Sequence, residues 1–155
     1  MTTPEEDNLQ MAMQQRWALV GLSVALFLLC LTQDGYYVEG PDPRAWASPA
    51  VLLSMGWLGV FEGVFAWLAN PLLLAAWISL ALGHQRIALE TAAAAVAFAL
   101  SFFTVDTILV NEAGGNARVT GVGAGYHLWV ASMLVVVVGA GLALYPRAPR
   151  NPTAI

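Results

Sequence analysis

The sequence is poor in charge. Charged residues are 10% of its 155 residues, and lysine is missing altogether. An average soluble domain carries about 25% charged residues. Six arginines stand against ten acids, for a formal net charge of −4 at pH 7. That leaves no basic patch for a phosphate backbone, so a nucleic-acid partner is not expected. A single cysteine, Cys30, excludes an intrachain disulfide. It sits in an apolar run and reads as a small buried hydrophobe. Leu29, just before it, is too large for a lipoprotein signal. No basic residue precedes the first apolar run until Arg16, and no small-residue cleavage site follows it, so a cleaved signal peptide is not expected. Nucleophile motifs, HExxH and other cofactor signatures are also missing, so no cofactor and no catalytic residue is expected and the metal question stays open. Gly121-Val122-Gly123-Ala124-Gly125 is rich in glycine. It precedes an apolar run rather than closing a βα turn, so it reads as a sharp entry into a helix, not a dinucleotide loop.

What the sequence does have is apolar length. Apolar residues reach 59% and mean hydropathy is +0.68. Such a chain of one-domain length reads as a small polytopic membrane protein. The expected fold class is all-α: an integral membrane four-helix bundle with a short additional interfacial helix in the first external loop. Residues 1–15 form a polar cytoplasmic tail, in which Thr3 is placed to cap a turn starting at Pro4. The transmembrane domain covers 16–146, and 147–155 is a second cytoplasmic tail.

The spans are expected at about 17–33, 60–82, 87–110 and 126–145. The stretch from Pro49 to Gly83 would be roughly 50 Å long as one helix, against a hydrocarbon core of about 30 Å. It is therefore divided into an interfacial helix at about 49–58 and the second span. Asn70-Pro71 then falls near mid-span and should kink it, with Asn70 bonded to a neighbouring helix or marking a substrate site. Tyr36, Tyr37, Trp46 and Trp57 are expected as interfacial anchors. Close helix approach is expected at Gly21-x3-Ala25, along the alanines of the third span and at Gly139-x3-Ala143.

Four spans place both termini on one side. Arg16, Arg86, Arg147 and Arg150 fall on that side, and Arg44 and Arg118 on the other. The positive-inside rule makes the first side cytoplasmic. Arg86 and Glu90 are spaced to pair on one helical face. Glu62, Asp106, His127 and Asp34 all fall near the opposite interface. Two readings stay open for them. They share an ion or proton site, for which carboxylate and imidazole are suited; or each is separately satisfied at the interface by snorkelling.

Leu31-Thr32-Gln33-Asp34, Gly56-Trp57-Leu58-Gly59, Ala66-Trp67-Leu68-Ala69-Asn70-Pro71-Leu72-Leu73, Asn111-Glu112-Ala113-Gly114 and Gly125-Tyr126-His127-Leu128-Trp129 follow one another in that order. Over roughly residues 20–145 this pattern resembles a family of small uncharacterised bacterial four-helix membrane proteins. The resemblance implies a four-helix fold and carries no activity. Members often have cysteines in the first external loop, and this chain has none there. The architecture is also loosely similar to claudin-type tetraspans, whose Trp and paired-Cys loop signature is missing.

Three functions compete. The first is a non-catalytic accessory, assembly or scaffold component of the bacterial inner membrane, with the lipid bilayer and a membrane protein as partners. The second is a small transporter, channel or ion-binding protein using the acid/His cluster. The third is an immunity or envelope-stress protein. An integral-membrane enzyme ranks behind these.

Overall fold

The computed structural model describes residues 4–44, 47–109 and 115–144. The chain is mostly helical, with one small sheet. Helix α1 spans Pro4–Cys30, strand β1 Tyr36–Val38 and helix α2 Pro49–Met55. A 3-10 turn, Gly56–Glu62, continues α2, and a second, Ala66–Leu68, leads into α3, Ala69–Ala81. Helix α4 is Gln85–Leu100, followed by 3-10 turn Ser101–Thr104 and strand β2, Thr107–Leu109. Strand β3, Asn116–Val122, leads into α5, Ala124–Leu144. Among the described residues three segments are long and apolar enough to cross a membrane: Ala12–Cys30, Gln85–Thr104 and Ala124–Leu144. Ala66–Ala81 is a shorter apolar helical segment.

The second expected span is corrected at its start. Residues 60–65 belong to a strap before the helix. Gly63 has φ +80, a left-handed conformation that favours glycine and ends the 3-10 turn. The helix proper begins at Ala69, so Pro71 falls in its first turn. A missing N–H is tolerated in the first turn of an α-helix, and the Trp67 carbonyl, four residues back, already accepts from Ala69 N. Asn70-Pro71 therefore opens a helix and does not kink one in mid-span.

The third span is corrected at its end. Ser101 Oγ donates to Phe98 O at 2.6 Å and Thr104 Oγ1 to Ser101 O at 2.7 Å. These local bonds tighten the last turn. Val105 is then extended, and Thr107–Leu109, a run with high strand propensity, forms β2. The three-stranded sheet is an addition to the all-α expectation. Its order is β1-β3-β2, with both pairings antiparallel. It joins the chain leaving α1, the chain leaving α4 and the chain entering α5, and defines one end of the molecule, the sheet end. The turn between α3 and α4 lies at the other, the hairpin end.

Helices α3 and α4 pack antiparallel through matched stripes. Ala69, Leu73, Ala76 and Leu80 are fully buried on α3, as are Ala88, Ala92, Ala95 and Ala99 on α4. Both stripes repeat at i, i+4, i+7 and i+11. Alanine lets the backbones approach, which drives association where lipid removes the hydrophobic term. Helix α5 packs on α4 and on α1, while the α1–α3 seam is sparser. At Gly139 an added Cβ would fall 2.6 Å from Leu19 Cδ1, so this glycine does bring α1 and α5 together. Ala143, Gly21 and Ala25 are exposed, so the expected contribution of Gly21-x3-Ala25 is not seen.

A hydrogen-bonded waist crosses the seam. Trp77 Nε1 donates to Ser23 Oγ at 2.7 Å, and Ser23 Oγ donates to Ser132 O at 2.6 Å. Ser132 Oγ in turn donates to Trp129 O at 2.6 Å. A side chain from α1, a side chain from α3 and a backbone carbonyl of α5 are thus tied together.

Candidate functional site

Above the waist, at the sheet end, the seam widens into a half-open cavity of about 130 Å3. The last turns of α1 contribute Phe27 and Cys30, and β1 contributes Tyr36. Helix α2 supplies Leu52 and Leu53, and its 3-10 continuation supplies Gly56, the two together forming the strap with residues 60–65; the 3-10 turn before α3 supplies Trp67 and α3 itself Asn70; α5 supplies Tyr126 and Trp129. Among the described residues no charged side chain lines it.

Aromatic rings build its wall. Tyr36 packs on Phe102 at 5.6 Å between centroids, Phe102 on Tyr126 at 6.0 Å and Tyr126 on Trp129 at 5.9 Å. Such tilted and edge contacts suit the ring quadrupoles. The polar tips are bonded within the fold. Tyr126 OH donates to Ala99 O at 2.9 Å, and Trp129 Nε1 to Asn70 Oδ1 at 2.9 Å. Trp67 Nε1 donates to Leu53 O at 3.0 Å, which pins the strap to the start of α3. Gly56 allows this, because an added Cβ would sit 2.7 Å from Trp67 Cδ1. Asn70 therefore does bond to a neighbouring helix, α5.

The glycine run holds the roof of the site. Gly123 N donates to Gly35 O at 2.9 Å and Gly125 N to Asp34 O at 2.8 Å. A Cβ at Gly123 would collide with the Asp34 carbonyl, and one at Gly125 would lie 2.8 Å from the same oxygen. The glycines thus serve a close backbone approach between the end of α1 and the start of α5, more than a sharp bend. Glycine is the residue that leaves room for such an approach.

Tyr36 is buried, not an exposed anchor. Burial pushes its hydroxyl pKa up to about 12. Tyr37 is half-buried, and its hydroxyl lies 3.5 Å from Asp34 Oδ2. Trp57 is exposed, and Trp46 lies outside the described residues. Phe61, 80% exposed on the strap, is a further apolar group there that the sequence reading did not single out.

The acids and His127 are not brought together. Asp34 pairs with Arg44 at 3.5 Å. Glu62, Asp106 and His127 are exposed, and no hydrogen bond or ion pair joins their side chains. Among the described residues no three His, Cys, Asp or Glu side chains are grouped as a metal ion would need. The expected Arg86–Glu90 pair is present at 3.0 Å.

Ser23, Trp77, Ser132, Tyr126 and Trp129 were not singled out from the sequence. Serines inside apolar runs and the mid-span indole of Trp77 were the available signals, while Tyr126 and Trp129 stood only within the motif at 125–129. A cavity of this size is close to the roughly 150 Å3 apolar cavity that accommodates benzene. Its chemistry is that of holding one compact apolar group. Comparison with protein-family models, curated proteins and solved structures finds no match for the chain.

Proposed function

We propose that the chain is a non-catalytic integral membrane protein of the bacterial inner membrane, an accessory, assembly or scaffold component. In this reading it crosses the bilayer four times, through α1, the Ala66–Ala81 segment, α4 and α5. The hairpin end faces the cytoplasm, with Arg16 and Arg86, while Arg147 and Arg150 follow α5 in the sequence. The sheet end faces outward. There α2 and its 3-10 continuation lie in the interface, with Trp57, Leu58 and Phe61 exposed to lipid or to a partner.

The observation that carries the reading is the half-open aromatic cavity beside that strap. The polar tips of Tyr126, Trp129 and Trp67 are already bonded within the fold, and the lining is suited to seat an apolar group of a membrane protein partner. Large apolar side chains in desolvated pockets are the usual anchors of protein interfaces.

Gentle purification from native membranes, with mass spectrometry of what co-migrates, tests this. The wild-type chain is expected to carry a stoichiometric protein partner. Leu52→Trp, which fills the cavity from the strap, is expected to lose that partner while keeping its thermal stability. Recovery of the wild-type chain alone, or with lipid only, contradicts the reading.

A further inference from the structure

The hairpin end holds a second cavity, separate from the site above. It is half-open, encloses about 710 Å3 and lies between α1, the α3–α4 turn and α5. That volume falls within the roughly 300–1,000 Å3 range of ligand clefts. Leu19 and Leu22 of α1, Leu80 of α3 and Leu142 of α5 make aliphatic walls. Gln15, Arg16 and Gln85 form the polar part of its rim.

Arg16 is partly buried and has no ion pair among the described residues, unlike Arg44 and Arg86. The fold nevertheless makes a place for it. Gly83 has φ +85, and an added Cβ there would sit 2.5 Å from Arg16 Nη1. The guanidinium therefore lies over the glycine of the turn. With the Gln85 amide oxygen turned toward it, Arg16 Nη2 donates to that oxygen at 3.2 Å, and the Gln85 nitrogen donates to Gly83 O at 3.1 Å.

A cation at the rim of an aliphatic groove, with no ion pair among the described residues, is costly unless an anion comes to it. Arg16 lies one turn inside the end of the apolar segment Ala12–Cys30, from which its long side chain can extend toward the lipid phosphates when that segment crosses a bilayer. A guanidinium matches a phosphate through two parallel hydrogen bonds. Basic pockets between membrane helices bind anionic headgroups for this reason. We propose that this groove binds one anionic phospholipid, its phosphate on Arg16 and an acyl chain along the aliphatic walls of α1 and α5. The aliphatic walls select a lipid over free phosphate. The inference goes beyond the partner-docking reading of the sheet end and does not depend on it.

The test uses the full chain in detergent, titrated with phosphatidylglycerol or phosphatidylcholine and read by native mass spectrometry. The wild type is expected to retain one phosphatidylglycerol about tenfold more tightly than phosphatidylcholine, in line with the strength of a charge-assisted bidentate contact. Arg16→Gln is expected to abolish that preference, and Arg86→Gln to leave it intact. Leu22→Trp fills the groove from an exposed position and keeps Arg16, so it is expected to lose the lipid even if Arg16→Gln does not fold. Equal binding of the two lipids by the wild type overturns the proposal. So does equal loss in Arg86→Gln, which would mean non-specific surface attraction. Competition by glycerol phosphate as effective as by the lipid overturns it too, in favour of a headgroup-only site.

Discussion

The two ends of the α1–α3 seam are built from the same helices and differ in almost everything else. At the sheet end the connections are long. They form three strands and a strap, and enclose an aromatic cavity whose polar tips are bonded internally. At the hairpin end α3 and α4 are joined by a tight turn at Gly83, and a wide aliphatic groove is left open beneath one arginine. The waist of Ser23, Trp77 and Ser132 lies between them. The contrast teaches that the helix stripes fix how the helices pack, while the connections decide what kind of site each end carries.

The strongest way to break this contrast is at the roof. Gly123→Val drives a side chain onto the Asp34 carbonyl, while Gly141, toward the other end of α5, has open space. A loss of about 3 kcal/mol or more is expected for Gly123→Val, the upper range of overpacking, against about 0.5 kcal/mol or less for Gly141→Ala. Thermal unfolding in detergent distinguishes them.

Next comes the pH response of the sheet end. Tyr36 has its hydroxyl raised from 10.0 to about 12 by burial, so the folded state favours the neutral form. That contribution is complete below pH 10 and is lost as pH rises through about 12. Wild-type stability should fall over this window by on the order of 2 kcal/mol. Tyr36→Phe should fall less, as read from melting points at the two pH values.

Cutting the waist should cost less. Ser23→Ala leaves Trp77 Nε1 without its acceptor, and about 1 kcal/mol is expected for a bond of this kind within a membrane bundle. Ser54→Ala, which removes a hydroxyl bonded only within α2, should leave the melting point unchanged. The smallest effect is expected at the start of α3. Pro71→Ala should change stability by about 0.5 kcal/mol or less, because a first-turn proline breaks no helical bond. A mid-helix proline would instead make alanine stabilising by about 3 kcal/mol.

Much of the helical frame was legible in the apolar runs. The alanine stripe of α4, the Arg86–Glu90 spacing and the Asn70 link to a neighbouring helix could all be read locally. The span boundaries near 60 and 110 could not. Continuous apolar composition does not distinguish a membrane helix from a 3-10 strap or a short strand, and Val105–Leu109 satisfies both patterns. The sheet was hidden for a further reason. Its register joins Tyr36 to Val122 and Thr107 to Arg118, pairings that no local period records. The cavity draws on residues from many separate elements, so of its aromatics only Tyr36 was picked out in the sequence, and then as an anchor. Whether the acids and His127 share a site was not legible locally either. Similar depth along separate helices says nothing about which way side chains point around each helix.

The most direct test of the account is which side of the membrane each end occupies. Thr120→Cys on β3 and His84→Cys in the α3–α4 turn are both exposed positions, and each is introduced with Cys30→Ser. Intact cells with a permeabilised outer membrane are then labelled with an impermeant maleimide. The account predicts that Thr120→Cys reacts from outside and that His84→Cys reacts only once the inner membrane is opened. Labelling of both from the same side, or of His84→Cys alone from outside, would contradict it.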